Sequence, residues 1–139
     1  MYSRAKEMYI LSQATVEKLD SGIISVIFPK KGHITLDIFH DIYTQIRHLA
    51  NTPVPIMVAG QRVHYIEYGA LELTTTPEIS AMINAQAIVT KTRVECLLGK
   101  LYLKTHPTNY PSRCFLSEDE AQQWLLSQTS ISEYKPTIL

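Results

Sequence analysis

The 139-residue chain has little of what several kinds of chemistry require. Its two cysteines, Cys96 and Cys114, are far apart and form no C-x-x-C pattern. On apolar segments of a cytosolic chain, such thiols are read as small buried hydrophobes rather than a disulfide. Five glycines leave little for a phosphate-cradling loop. Neither G-x-x-x-x-G-K-[ST] nor G-x-G-x-x-G occurs, and the nucleophile elbow G-x-S-x-G is also missing. Thirteen basic and thirteen acidic residues cancel. Lys30-Lys31 is the only adjacent basic pair, so the patch expected of a nucleic-acid binder is lacking. No run approaches the ~18 apolar residues of a membrane span. The N-terminal "MYSRAKEMYILSQ" has no apolar core of a secretory signal, so cytoplasmic residence is expected.

What is present alternates strands with helices. "ATVEKL" and "IISVIF" flank "DSG", where Gly22 can supply the positive φ of a tight hairpin. Ile24, Val26 and Phe28 share one face of the second strand, and Ile23, Ser25 and Ile27 the other. "ITLDIFHDIYTQIRHLAN" predicts a helix with Thr35 as N-cap and Asp37 in the first turn. Its stripe is Leu36, Phe39, Ile42 or Tyr43, Ile46 and Leu49. "VPIMVA" suits a central strand covered on both faces. "TTTPEISAMI" reads as a helix with Thr76 as N-cap and Pro77 at its first position. "AQAIVT" is a further buried strand.

"TRVECLLGKLYLK" is amphipathic, with Val94, Leu97, Leu98 and Leu101 on one face. Gly99 inside it costs about 1 kcal/mol relative to alanine, which a close approach to a neighbour would explain. "SRCFLS" is the last strand and "SEDEAQQWLL" the last helix. Ser117 and Glu120 match a capping box there, and Leu116 is placed to staple onto Ala121. Trp124 falls with Ala121 and Leu125 on the apolar side, as a core anchor. The tail "ISEYKPTIL" is expected to be irregular or loosely docked. The order β-β-α-β-α-β-α-β-α implies parallel crossovers after an antiparallel hairpin, in one layered domain.

Candidate chemistry is sparse. The histidines are His33, His40, His48, His64 and His106. His40 and His48 stand two helical turns apart, too far for one metal ion, so no metal site is expected. Nothing local supports a nucleophile–base pair between either cysteine and His64 or His106. The acidic run Glu118 to Glu120 is explained by a helix first turn. No catalytic residue, no cofactor and no enzymatic activity are expected.

The stretch "AGQRVHYIEYGAL", Ala59 to Leu71, resembles the helix-entering motif of the STAS domain, the fold of bacterial anti-sigma-factor antagonists and of sulfate-transporter tails. That family carries a pattern like D-x-S-x-V-x-x-M-D-S-S-G-L after its third strand. Val63, Ile66, Glu67 and Leu71 keep the character of their counterparts. The strand-end aspartate falls on Ala59, the following serine on Gln61, and the pair of hydroxyl residues on Tyr68 and Gly69. The second of that pair is the one phosphorylated in the antagonist branch, and Gly69 cannot be phosphorylated. Phosphorylation adds close to two negative charges at a helix N-terminus, whereas Glu67 supplies one fixed carboxylate nearby.

"YPSRCFLSEDEAQQWLL", Tyr110 to Leu126, is similar to the C-terminal region of small stand-alone bacterial STAS-like proteins of unknown function. The resemblance implies an α/β fold, a single-domain STAS-like mixed sheet with packed helices. It divides the chain into an N-terminal extension (1–12), a STAS-like domain (13–128) and a C-terminal tail (129–139).

Two functions are compatible with this. The first is a non-enzymatic regulatory or protein-interaction module whose 60–71 segment, entering the second helix as a loop, carries the partner surface. Arg62, His64, Tyr65, Glu67, Tyr68 and Leu71 are its candidate contacts, aromatic and arginine anchors being enriched at hot spots. A homodimer is a further expectation, with "LLGKLYL" as a patch if Tyr102 or Leu103 is exposed. The alternative is a small-molecule or lipid-binding domain with a cleft beside His64 and Tyr65. A pocket of several hundred Å3 with converging polar groups separates the two.

Overall fold

Gly22 turns the chain at φ 95°, a left-handed conformation that a side chain would strain. A computed structural model of the protein describes residues 8–10, 14–28, 32–50, 53–60, 63–66, 76–105 and 107–134. Met8–Ile10 (β1) pairs antiparallel with Thr15–Lys18 (β2), and β2 turns through Gly22 onto Ile24–Phe28 (β3). The sheet thus begins inside the segment read as an N-terminal extension. Three residues without a strong alternation gave no pattern to read.

Gly32–Ile34 (β4) leads into Leu36–Leu49 (α1). The Thr35 hydroxyl accepts from the Ile38 amide at 3.3 Å, the expected N-cap. Ile42, Tyr43, Ile46 and Leu49 are buried, so the predicted stripe faces the sheet. At the far end the Lys18 ammonium donates to the Leu49 carbonyl at 3.4 Å, placing a cation on the negative end of the helix dipole.

Val54–Gly60 (β5) and Val63–Ile66 (β6) follow, then a short helix Pro77–Ser80 (α2) and Ile83–Val89 (β7). Thr76 caps α2, accepting from the Ile79 amide at 3.4 Å. The helix is shorter than the expected "TTTPEISAMI" because Ile83 is already committed to β7. Arg93–Thr105 (α3), Ser112–Phe115 (β8) and Glu118–Tyr134 (α4) complete the order. The last helix runs well into the segment expected to be an irregular tail.

Among the described residues the main sheet has six strands in the order β1-β2-β3-β5-β7-β8, parallel from β3 onward, and β4 pairs parallel with β6 in a separate ribbon. The expected mixed α/β architecture is present, with these two ribbon strands and β1 added to it.

Two apolar cores flank the sheet. Ile24, Val26 and Phe28 join Val54, Ile56 and the buried side of α1 in the first. Ile23 and Met57 point the other way, toward Ala121 and Leu125 of α4. Strand β5 therefore needs apolar residues on both faces, which its near-continuous run supplies. Between Val54 and Pro55 the pairing with β7 shifts by one residue. That bulge places Ile83 in the first core and Ala85, two residues on, in the second. Ala85 and Ala87 are small, and α4 settles against them through Ala121 and Leu125.

Candidate functional site

The predicted partner segment is only partly within the described residues. His64 and Tyr65 lie on strand β6, in register with Gly32–Ile34 of β4, and Tyr65 pairs with His33. This corrects the expectation of a loop there. "VHYI" is β-branched and aromatic, and a second short strand offers its backbone a partner. Arg62, Glu67, Tyr68, Gly69 and Leu71 fall outside the described residues.

A different surface stands out. Helix α3 begins with a reciprocal capping box that the sequence reading did not single out. The Glu95 amide donates to the Thr92 hydroxyl at 3.1 Å, and the Thr92 and Lys91 amides donate to the Glu95 carboxylate at 3.2 and 3.0 Å. The helix then buries no residue of its own. Val94, Leu97, Leu98 and Leu101 form the predicted stripe, but it faces outward, with exposures of 67%, 57%, 58% and 52%. Arg93, Lys100 and Lys104 are exposed beside it, at helical spacings of seven and four. Tyr102 and Leu103, on whose exposure the patch expected of "LLGKLYL" depends, are half-buried, and the exposed apolar residues are those of the stripe instead. Tyr102 sits near enough to Tyr43 and Tyr110 to oppose their ionisation. Burial is the main cause that pushes both phenols far above the ordinary tyrosine range.

The inner side of α3 meets β8 closely. A Cβ at Gly99 would lie 2.6 Å from the Cys114 Sγ, so only glycine fits this approach without displacing the thiol. Cys114 is buried, Cys96 is half-exposed, and both are free. Burial pushes the Cys114 thiol up to about 11, the neighbouring Cys96 adds to the shift, partly through a hydrogen bond, and Lys100 opposes it.

An open groove of about 550 Å3 runs along β8, the edge strand, between α3 and α4. Cys96, Arg113, Cys114, Phe115, Glu120 and Trp124 are among the residues that line it. Phe115 packs on Trp124 at 5.5 Å between ring centroids, and the Arg113 guanidinium lies 5.4 Å over the Phe115 ring. Trp124 is thus both a support of the second core and a wall of the groove. Groove residues come from three separate stretches of sequence, and no local spacing announces them. Among the described residues no three His, Cys, Asp or Glu side chains cluster as metal ligands. No helix among them is long and apolar enough to cross a membrane.

The architecture has a solved counterpart. The crystal structure of an uncharacterised DUF3478-family protein from Shewanella loihica PV-4, with a SpoIIAA-like fold, is similar with a TM-score of 0.53 and 14% identity. The match covers 90% of this chain and 95% of that one. At that identity the likeness concerns the fold, which is STAS-like, of the anti-sigma-factor-antagonist type. No curated protein matches the chain. The family described as "Domain of unknown function (DUF7793)" matches residues 18–129, and the chain belongs to that family.

Proposed function

We propose that this chain is a non-enzymatic, cytoplasmic STAS-like regulatory or protein-interaction module that docks an acidic amphipathic segment of a partner protein on α3. The observation that supports it is the outward stripe Val94, Leu97, Leu98 and Leu101. Apolar surface left in water forgoes roughly 25 cal/mol per Å2, and four aliphatic side chains on one helix face form a continuous patch rather than scattered exposure. The row Arg93, Lys100 and Lys104 beside it gives the partner's sign, since complementary charge steers and orients docking. Gly69, where the antagonist branch has its phosphorylated serine, makes regulation by that modification unavailable. The segment with Arg62, His64, Tyr65, Glu67, Tyr68 and Leu71 is a second candidate contact region.

Photo-crosslinking in native cells tests this, with the crosslinker at position 98 and, as a control, at position 41 of α1. The expected result is an adduct with a second protein from position 98 only. Lys100→Glu/Lys104→Glu should abolish it, and the crosslinked partner peptide should be acidic and amphipathic. Adducts only between copies of this chain, binding only to anionic vesicles, or no adduct at all would each overturn the reading.

A second function, small-molecule or lipid binding, is supported by the groove along β8, whose lining includes the polar residues Arg113, Glu120 and Gln123. Trp124 is the sole tryptophan, so its fluorescence reports occupancy directly. Titration with a long-chain fatty acid and with adenosine triphosphate should give saturable quenching by one of them that Arg113→Ala weakens. A flat response to both removes this reading.

A further inference from the structure

The two cysteines, distant in sequence, meet across the α3–β8 contact. Gly99 presses on the Cys114 Sγ, and Cys96 lies one turn earlier on α3, at the i, i+3 spacing that shares a helix face. Both line the same groove, and Cys96 is near enough to Cys114 to raise the pKa of its thiol. Packing alone accounts for Cys114, which is buried. It does not account for Cys96, which stays half-exposed and open to a solute. The helix carrying Cys96 buries no side chain, so a small shift of α3 toward β8 displaces no core residue of its own.

We propose that Cys96 and Cys114 are a redox-responsive pair in which a hydroperoxide oxidises Cys96 and Cys114 resolves it as a disulfide that staples α3 to β8. In the first step the Cys96 thiolate attacks the terminal peroxide oxygen. The O–O bond breaks, the alcohol or water leaves, and Cys96 becomes a sulfenic acid. In the second step the Cys114 sulfur attacks the Cys96 sulfur. The S–S bond forms, the S–O bond breaks, and hydroxide departs as water with the proton from Cys114. Two thiols give up two electrons, and the peroxide takes them. Burial keeps Cys114 protonated at neutral pH, so the second step is slow. The pair takes up one hydroperoxide per chain as the disulfide forms. It requires no docking on α3.

The test uses the full chain, reduced, freed of reductant and exposed to hydrogen peroxide. Trypsin cuts after Arg93, Lys100 and Arg113, so a Cys96–Cys114 bond joins two otherwise separate peptides in a non-reducing mass map. The linked pair should become the main oxidised species in monomeric protein and revert with dithiothreitol. Cys114→Ser should instead accumulate a Cys96 sulfenic acid that dimedone traps. Oxidation that leaves Cys96 singly modified in the wild-type chain, or links only Cys96 of two copies, overturns the proposal. The wild-type map decides this even if the variant fails to fold.

Discussion

Gly99 and Cys114 occupy each other's space: a methyl group added to the glycine would sit 2.6 Å from the thiol sulfur. A glycine in mid-helix costs about 1 kcal/mol against alanine, so Gly99→Ala would stabilise an unhindered helix. Here overpacking, at roughly 1–3 kcal/mol, outweighs that gain. Gly99→Ala should therefore destabilise the protein by about 1 kcal/mol. In a Cys114→Ala background the same change should become stabilising. Urea denaturation of the four chains of this double-mutant cycle measures the sign reversal.

The pair also sets an alkaline limit. The Cys114 thiol moves from its reference value of 9.0 up to about 11 in the folded chain, through burial first and then Cys96. The native state thus holds this proton more tightly than the unfolded state. The stabilisation it gives is complete below pH 9 and disappears as pH rises through about 11. Tyr43 and Tyr110, also raised, add to the decline from their reference value of 10.0 upward, in the wild-type chain and in Cys114→Ala alike. Stability should fall from pH 9 to 11 in the wild-type chain and be flatter over that interval in Cys114→Ala. Denaturation midpoints recorded across the interval decide it.

The two helix starts should differ in strength. At α3 the Thr92 hydroxyl and the Glu95 carboxylate serve each other's backbone amides. At α4 the Glu120 amide donates to the Ser117 hydroxyl at 3.3 Å. Thr92→Ala should cost about 1 kcal/mol, and Glu95→Ala a comparable amount because two amides lose their acceptor. Because α3 has no core anchor, amide hydrogen exchange should accelerate throughout that helix in either variant.

Leu98 and Leu125 are both helical leucines, yet their substitutions should have opposite consequences. Leu125 is fully buried against the sheet, so Leu125→Ala should cost about 2–5 kcal/mol. Leu98→Lys, on the outward face, should change stability by no more than about 0.5 kcal/mol while removing partner crosslinking. Thermal denaturation of both variants checks the first half. A large loss of stability in Leu98→Lys would mean that part of this chain covers the stripe.

Local signals in the sequence were sufficient for several elements. Gly22 turns its hairpin, Thr35 and Thr76 cap their helices, and the α1 stripe buries Ile42, Tyr43, Ile46 and Leu49. The resemblance carried by Tyr110 to Leu126 led to the right fold. The reciprocal capping box lies at Thr92 and Glu95, where none was expected. Met8–Ile10 and Val63–Ile66 escaped notice because strands of three and four residues acquire their order from a neighbour's hydrogen bonds.

Periodicity, caps and turn residues act between positions a few residues apart, and the sequence by itself determined what they govern: the kinds of element, their order and the amphipathic face of each. It placed Val94, Leu97, Leu98 and Leu101 on one side of a helix. Only the tertiary structure decided that this side faces solvent, since burial depends on what the rest of the chain brings opposite it. The same is true of the groove along β8 and the meeting of Cys96 with Cys114. Those arise from packing three elements together, and no spacing along the chain encodes a distance between residues on different elements.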